Sequence, residues 1–209
     1  MDQSLSLRRE NTLVVGRSVT DEIRIEFLRK GLHLLIAFVP SLAALSLEYT
    51  VLALVLGVLF YAACETLRIQ GVAVPLISRV TSMAARQRDA GKFVLGPVTL
   101  GIGALLALLL YPNPAASIAI YALAFGDGLS SLVGKTFGTV RLPLTGGKSL
   151  EGSLTCMAAV FLSSLPLTGS PLRSFPIAII ATVVEAAPTK DLDNLILPVL
   201  TGAAAMLIG

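Results

Sequence analysis

Charge is scarce in this sequence. Only 14% of its 209 residues are Asp, Glu, Lys or Arg, against about 25% in a typical soluble domain. With 55% apolar residues and a mean hydropathy of +0.83, one soluble core of this length could not hide the apolar surface, whereas a bilayer solvates it. Strict alternation of apolar and polar residues is missing too. Barrel strands alternate over about ten positions, but the apolar runs here are continuous. Lipid offers no partner to backbone N–H and C=O groups, so helices are the spanning structure that remains. Histidine is nearly absent: His33 stands alone, which leaves zinc ligation or a Ser-His-Asp triad without partners. The two cysteines, Cys64 and Cys156, both fall inside apolar runs, which excludes a disulfide framework and suits small buried residues. Residues 1–30 carry too many charges for a signal peptide. No repeat or low-complexity tract is visible. The net charge of +3 describes loop asymmetry better than it describes a nucleic-acid binder.

What is present is a series of apolar segments. The sequence predicts an all-α polytopic transmembrane bundle of about seven spans, near Gly31–Leu47, Tyr49–Leu67, Phe93–Tyr111, Ala115–Val133, Leu150–Leu167, Phe175–Ala187 and Leu195–Ile208. A 1–30 cytoplasmic arm precedes a single membrane domain, 31–209. With the N-terminus cytoplasmic and the C-terminus outside, every basic residue except Arg173 falls on the inner side, as the positive-inside rule asks. Within Arg68–Lys92, the spacing of Leu76, Ile77, Val80, Met83 and Ala84 suits a helix lying on the inner membrane surface. A solvated basic connector explains the same stretch equally well.

Ionisable groups inside spans are costly, so their positions inform. Glu65, Asp127, Glu151, Glu185, Asp191 and Asp193 all belong to the cytoplasmic half of this topology. Such an array could hold a divalent cation or take a proton from a hydroxyl. Asp127 is the sharpest signal, because it lies well inside the fourth span. Asp127, Ser130, Ser131 and Gly134 share one helical face, and Gly126 and Gly128 allow close approach of a backbone or ligand. A polar stripe that packs helix on helix is the plainer account. The second signal is Thr145-Gly146-Gly147-Lys148-Ser149-Leu150-Glu151-Gly152-Ser153. It offers free backbone, a positive charge, a capping Ser149 and a helix N-terminus, parts that suit phosphate. Leu142 stands where a Walker A loop needs glycine, so a soluble P-loop fold is rejected, and an ordinary turn with a cap is the bland alternative. The third signal is Glu185 followed, after Pro188, by Asp191, Asp193 and Asn194. Oxygen ligands of this type suit Mg²⁺, or an acidic helix cap. His33 reads as an interfacial residue, and Arg29 and Lys30 as anchors or phosphate contacts.

Taken in order, Gly126-Asp127 through Gly134-Lys135, Gly138, Leu142-Pro143 and Lys148-Ser149-x-Glu151-Gly152-Ser153 resemble the signature of the dolichol kinase, phytol kinase and yeast-type diacylglycerol kinase family. Arg29-Lys30-x-x-His33 and Gly96-Pro97 upstream, and Glu185 and Asp193-Asn194 downstream, extend it. The resemblance implies a membrane enzyme that phosphorylates a lipid alcohol such as phytol, a polyprenol or diacylglycerol. It implies CTP as donor, with ATP as the other choice, and a divalent metal such as Mg²⁺. The shortness of the chain implies a minimal, prokaryotic-like unit in a bacterial or archaeal inner membrane, its site on the cytoplasmic face. On this reading Asp127, Lys148 and Glu151 are catalytic. Arg29, Lys30, Gly126, Ser130, Gly134, Lys135, Gly147 and Ser149 hold the nucleotide phosphates, and Asp127, Glu185, Asp193 and Asn194 hold the metal. The expected partners are lipid alcohol, nucleotide and membrane lipids, with no nucleic acid and with self-association left open. Two rivals stand beside it: cytidylyl transfer to phosphatidate, and a small transporter, which the apolar outer connections disfavour.

Overall fold

The computed structural model describes residues 19–72, 74–84, 91–189 and 192–209. The first helix, α1 (Val19–Leu34), passes through a tighter turn at Leu35–Phe38 into α2 (Val39–Leu45). Proline explains the turn. Pro40 has no N–H to give to the carbonyl of Ile36, and the Val39 N–H takes that carbonyl at the shorter spacing instead. Ser46, in extended conformation, breaks the rod and caps α3 (Leu47–Ile69) through its hydroxyl. A short helix α4 (Pro75–Ala84) follows, then α5 (Gly96–Leu110), with Pro97 in its first turn. Next comes a continuous rod: α6 (Ala115–Tyr121), a π-helical turn (Ala122–Asp127) and α7 (Gly128–Thr136). The chain ends with α8 (Leu150–Thr168), α9 (Pro171–Ala186) and α10 (Asp193–Ile208). Gly169, at φ +62°, closes α8 in the left-handed conformation that glycine tolerates.

A helix stands at each of the seven expected positions. Among the described residues, four stretches are long and apolar enough to cross a membrane: Ile25–Leu45, Leu47–Ile69, Ala115–Thr136 and Leu150–Thr168. Helices α5, α9 and α10 are shorter, at 15, 16 and 16 residues. The expected boundary at residue 30 is not a structural break. Helix α1 runs through it, so Glu26 and Lys30 are buried parts of the bundle, and the remainder of the arm, residues 1–18, lies outside the described residues. Residues 75–84 of the predicted surface segment are helical, and α4 packs on α1 and α3; residues 85–90 lie outside the described ones.

The Ala115–Thr136 rod is the axis of the bundle. Of its most apolar stretch 61% is buried, against 17% for Leu47–Ile69. Alanine, glycine and serine recur along it, which lets neighbours approach closely. Ala115, Ile118 and Ala122 pack with Cys156, Val160, Ile177, Ala181 and Leu197 of α8, α9 and α10. Ala116, Ala119 and Ile120 pack on Val39, Ala107 and Leu108. Helix α3 instead turns Leu52, Leu56, Leu59 and Phe60 outward, where lipid would cover them.

Two contacts fix α10 on α5. A Cβ on Gly103 would sit 2.0 Å from the Asn194 carbonyl oxygen, so only glycine allows that approach. The Tyr111 ring lies on Gly202, and its hydroxyl donates to the Val199 carbonyl at 2.6 Å. At the far end of the rod, α7 and α8 also approach closely: a Cβ on Gly152 would lie 2.9 Å from the Ser130 carbonyl oxygen. That crossing places α7, the start of α8 and the end of α9 around one space.

Candidate functional site

The site begins with the π turn. Widening the helix between Ala122 and Asp127 leaves the Leu123 carbonyl facing α1, where His33 Nε2 donates to it at 2.8 Å. Such turns often mark functional sites. The same His33 nitrogen lies 3.2 Å from Asp127 Oδ2, and Lys30, one helical turn earlier, donates directly to that oxygen. Asp127 is thus held by two residues of α1 and is almost wholly buried.

Two further acid–base pairs stand around the same space. Lys135 donates to Glu26 Oε2 at 2.6 Å, and Arg29 reaches the same carboxylate oxygen at 3.0 Å. Lys148 pairs with Glu185, whose Oε1 also accepts from the Ser130 hydroxyl at 3.0 Å. Burial works against the Lys148 charge, but Glu185 and then Asp127 outweigh it and hold its pKa above the ordinary lysine value. Lys148 therefore stays charged throughout the neutral range. Its stabilising contact is complete below the ordinary lysine pKa and is lost only as pH rises through the higher folded value.

Residues 137–149 fold over this cluster as a strap. The Leu142 N–H donates to the Lys148 carbonyl and the Leu150 N–H to the Val140 carbonyl, both at 2.9 Å. Gly146 and Gly147 make the return at φ +69° and +99°, conformations glycine accepts without strain. Ser149 caps α8, its hydroxyl accepting from the Gly152 N–H at 3.1 Å. Beneath the strap is a cavity of about 430 Å³ walled by Lys30, Lys135, Lys148, Ser130, Ser131, Glu185 and Asp193, with Gly134, Gly147 and Ser149.

Most of the residues singled out in the sequence meet at this cavity, with Asp127 directly behind Lys30. Others stand elsewhere. Gly126 packs against α8, where a Cβ would lie 2.9 Å from Val160 Cγ2. Arg29 and Asn194 line a second space, an apolar groove beside the cavity. The Asn194 amide nitrogen is spent on Thr99 Oγ1 and the Gly96 carbonyl, at 2.9 and 3.3 Å. Glu151 faces the strap: its Oε1 accepts from the Thr139 N–H at 2.9 Å, the Val140 N–H at 3.2 Å and the Thr139 hydroxyl. Glu65 lies apart from the cavity as well. It is fully buried, bound by Arg68 through two nitrogens at 2.7 Å and by the Val94 N–H at 2.8 Å, and so ties the end of α3 to the approach to α5. Asp191 lies outside the described residues. Conversely, nothing in the sequence singles out Glu26, and His33, expected at the interface, is buried against the π turn. The spacing of Glu26, Lys30 and His33, at i, i+4 and i+7 on one helical face, is the signal that joins them.

Among the described residues, no three His, Cys, Asp or Glu side chains gather into a metal cage. The cavity does carry oxygen ligands: Asp193 lines it, and Glu185 Oε2 is buried without a hydrogen-bond partner. One or two carboxylates completed by substrate phosphates is the usual way to bind Mg²⁺, so this donor set fits that ion. Asn194, turned to the groove, does not belong to it.

A bundle of apolar helices with a lysine-rich, strap-covered cavity at one end of its central rod has the character of a membrane protein. Comparison with known proteins narrows the class. The chain is 31% identical over 137 residues to a chloroplastic farnesol kinase of Arabidopsis thaliana, covering 58% of this chain and 45% of that protein. It is 24% identical over 161 residues to a probable chloroplastic phytol kinase of Glycine max, covering 68% and 53%. It is 29% identical over 191 residues to the dolichol kinase EVAN of Arabidopsis thaliana, covering 82% and 33%. The chain spans about half the length or less of these relatives. No family profile matches it, and no solved structure does. The relatives agree with the motifs: the chain is similar to kinases of the dolichol and phytol kinase type.

Proposed function

We propose that this protein transfers the terminal phosphate of a nucleoside triphosphate, CTP in the first instance, to the hydroxyl of an isoprenoid alcohol at the cytoplasmic face of the membrane. The observation that carries the reading is the position of Lys30. It borders the charged cavity, touches Asp127, and borders the apolar groove, so phosphate donor, candidate base and lipid would meet at one residue.

Phosphoryl transfer is mainly positioning and charge neutralisation. Lys135 and Lys148 would neutralise the phosphates, with the strap backbone and the α8 N-terminus aimed at them. Asp127 would take the hydroxyl proton as the alcohol oxygen attacks the terminal phosphorus. The bond from that phosphorus to the bridging oxygen breaks, and the nucleoside diphosphate leaves with the electron pair. For the hydroxyl to reach Asp127, the Lys30 ammonium must move off it, and incoming phosphate supplies the competing charge. Asp193 and Glu185, with Asp127, would hold a divalent cation, which when bound would supply further neutralisation of phosphate charge. His33, fixed to the π turn, orients the Asp127 carboxylate. Glu151 acts by holding the strap closed.

The test is product analysis on purified protein given labelled CTP or ATP with farnesol, phytol, a polyprenol or diacylglycerol. The expected products are an isoprenoid monophosphate and CDP. Release of pyrophosphate instead would assign cytidylyl transfer, and no lipid phosphate from any pair would overturn the kinase reading. Assays in sealed vesicles of either orientation, with nucleotide added outside, decide the face.

A further inference from the structure

The groove beside the cavity has about 390 Å³ of space between α1, α3, α4 and α5. Leu32, Leu54, Val58, Ile77, Val80 and Leu100 supply much of its wall. The Tyr61 hydroxyl donates to the Val94 carbonyl at 3.3 Å and receives from Thr81 at 3.4 Å, so two of the wall's hydroxyls are engaged with the protein. Lys30 and His33, by contrast, also reach Asp127. A molecule lying in this groove with a polar head at Lys30 would have an apolar body and one hydroxyl-sized end beside the charged cavity.

We infer that this groove holds the hydrocarbon chain of a single-chain isoprenoid alcohol, its hydroxyl directed at the Lys30–Asp127 pair, and that Gly57 keeps it open. The inference rests on the kinase reading above for the identity of the lipid. Two glycines define the space. A Cβ on Gly101 would sit 2.4 Å from Val58 Cγ2, so α3 and α5 are pressed together there and close one side of the groove. A Cβ on Gly57 meets nothing within 4 Å, although Gly57 lines the groove. A larger side chain at 57 therefore enters empty space without displacing backbone, and takes up volume a lipid would use. Pockets of this size bind largely by apolar contact, with a few polar groups fixing orientation.

The experiment uses the full chain in nanodiscs and a farnesol carrying a photoreactive diazirine on its tail. Crosslinks are expected on peptides of α3 and α5, competed by unlabelled farnesol. Gly57→Phe should abolish them and raise the KM for farnesol about tenfold or more, equivalent to about 1.4 kcal/mol of lost binding, while leaving the KM for CTP unchanged. Gly57→Leu should do the same to a smaller degree, and Leu162→Phe on the outward face of α8 should do neither. Crosslinks on α8 or α9 would overturn the assignment. So would competition by phosphatidylcholine and not by farnesol, or unchanged crosslinking and KM in both Gly57 variants. The two readings fail separately. A wild-type protein that phosphorylates no alcohol refutes the kinase, yet farnesol-competed crosslinks lost in Gly57→Phe would still locate the groove's occupant.

Discussion

The cavity and the groove share Lys30 and are otherwise built by opposite residue choices. The cavity is made largely from helix ends: one face of the short α7, the first turn of α8, the end of α9, the start of α10 and a glycine-bent strap. Its three lysines are each paired with a carboxylate. The groove is made from helix sides, mostly aliphatic, and is widened by a glycine with nothing opposite it. Helix ends supply unpaired N–H groups, free backbone and short capping side chains, which is what a polyanion needs. Helix sides supply continuous apolar surface, which is what a lipid needs. On the proposed reading a transfer would occur where the two spaces adjoin, and Asp127 stands there, at the junction of the π turn and α7 and in contact with Lys30.

The largest effect should come from breaking that junction. Asp127→Asn is expected to lower lipid phosphate formation by about 10²–10⁴-fold, the range for losing a general base. It also strands the Lys30 ammonium in a buried site, at a cost of about 3–5 kcal/mol when one partner of a buried pair is removed. The Asp127→Asn/Lys30→Met double variant should recover thermal stability without recovering activity. Recovery of both would mean that Asp127 only neutralises Lys30. Next in size is the cavity side alone. Lys148→Gln should reduce kcat/KM for the nucleotide by about 10²–10³-fold, as for other electrostatic donors to a developing charge, with little change in the KM for the alcohol. A larger change for the alcohol would erase the division of labour between the two spaces.

The cavity side was far more legible in sequence than the groove side. Asp127, Ser130, Gly134 and Lys148 announce themselves because a carboxylate within an apolar run, or glycines beside lysine and serine, contradict their surroundings. They could be placed together because a topology set by basic loops puts them at one level. Nothing contradicts its surroundings in Leu32, Leu54 or Val58. An aliphatic residue lining a groove and one facing bilayer have the same composition, and only packing separates them. Asn194 illustrates the limit. As a chemical type it suited a metal set with Asp193, but helix geometry turns adjacent residues to different sides, and Asn194 instead joins α10 to α5 through Thr99. Glu65 shows the same limit, since a buried acid that clamps a loop reads in sequence like one that waits for a ligand. The positions of the apolar helices were readable, four of them in stretches long enough to cross a membrane. The start of the bundle was not, because the charges of α1 look like those of a soluble arm until their partners on the central rod are known.

A smaller effect tests how tightly the cavity wall is fixed. Gly152→Ala would bring a Cβ within 2.9 Å of the Ser130 carbonyl oxygen. Backbone cannot swing aside as a side chain can, so α7 and α8 must separate, at the roughly 1–3 kcal/mol typical of overpacking. A lowered melting temperature with a raised KM for nucleotide is expected, and an unchanged melting temperature would mean that the crossing is looser than its geometry.

The smallest effect should come from Glu151, and it separates two roles that its place in the motif leaves joined. If the carboxylate took part in transfer, Glu151→Gln would lower kcat by about 10²-fold or more, as for a residue acting in general acid–base catalysis. The geometry points the other way. Its Oε1 accepts from two backbone N–H groups and the Thr139 hydroxyl, all in the strap and none in the cavity. The glutamine keeps a carbonyl oxygen able to accept the same bonds, though without charge, and charged acceptors hold donors more strongly than neutral ones. The strap should therefore open more often while the reacting groups stay in place. The expected result is a rise of a few-fold in the KM for nucleotide with kcat nearly unchanged, and Glu151→Ala, which removes the acceptor altogether, should raise KM further at similar kcat. A kcat that falls with KM constant would move Glu151 from the strap into the chemistry.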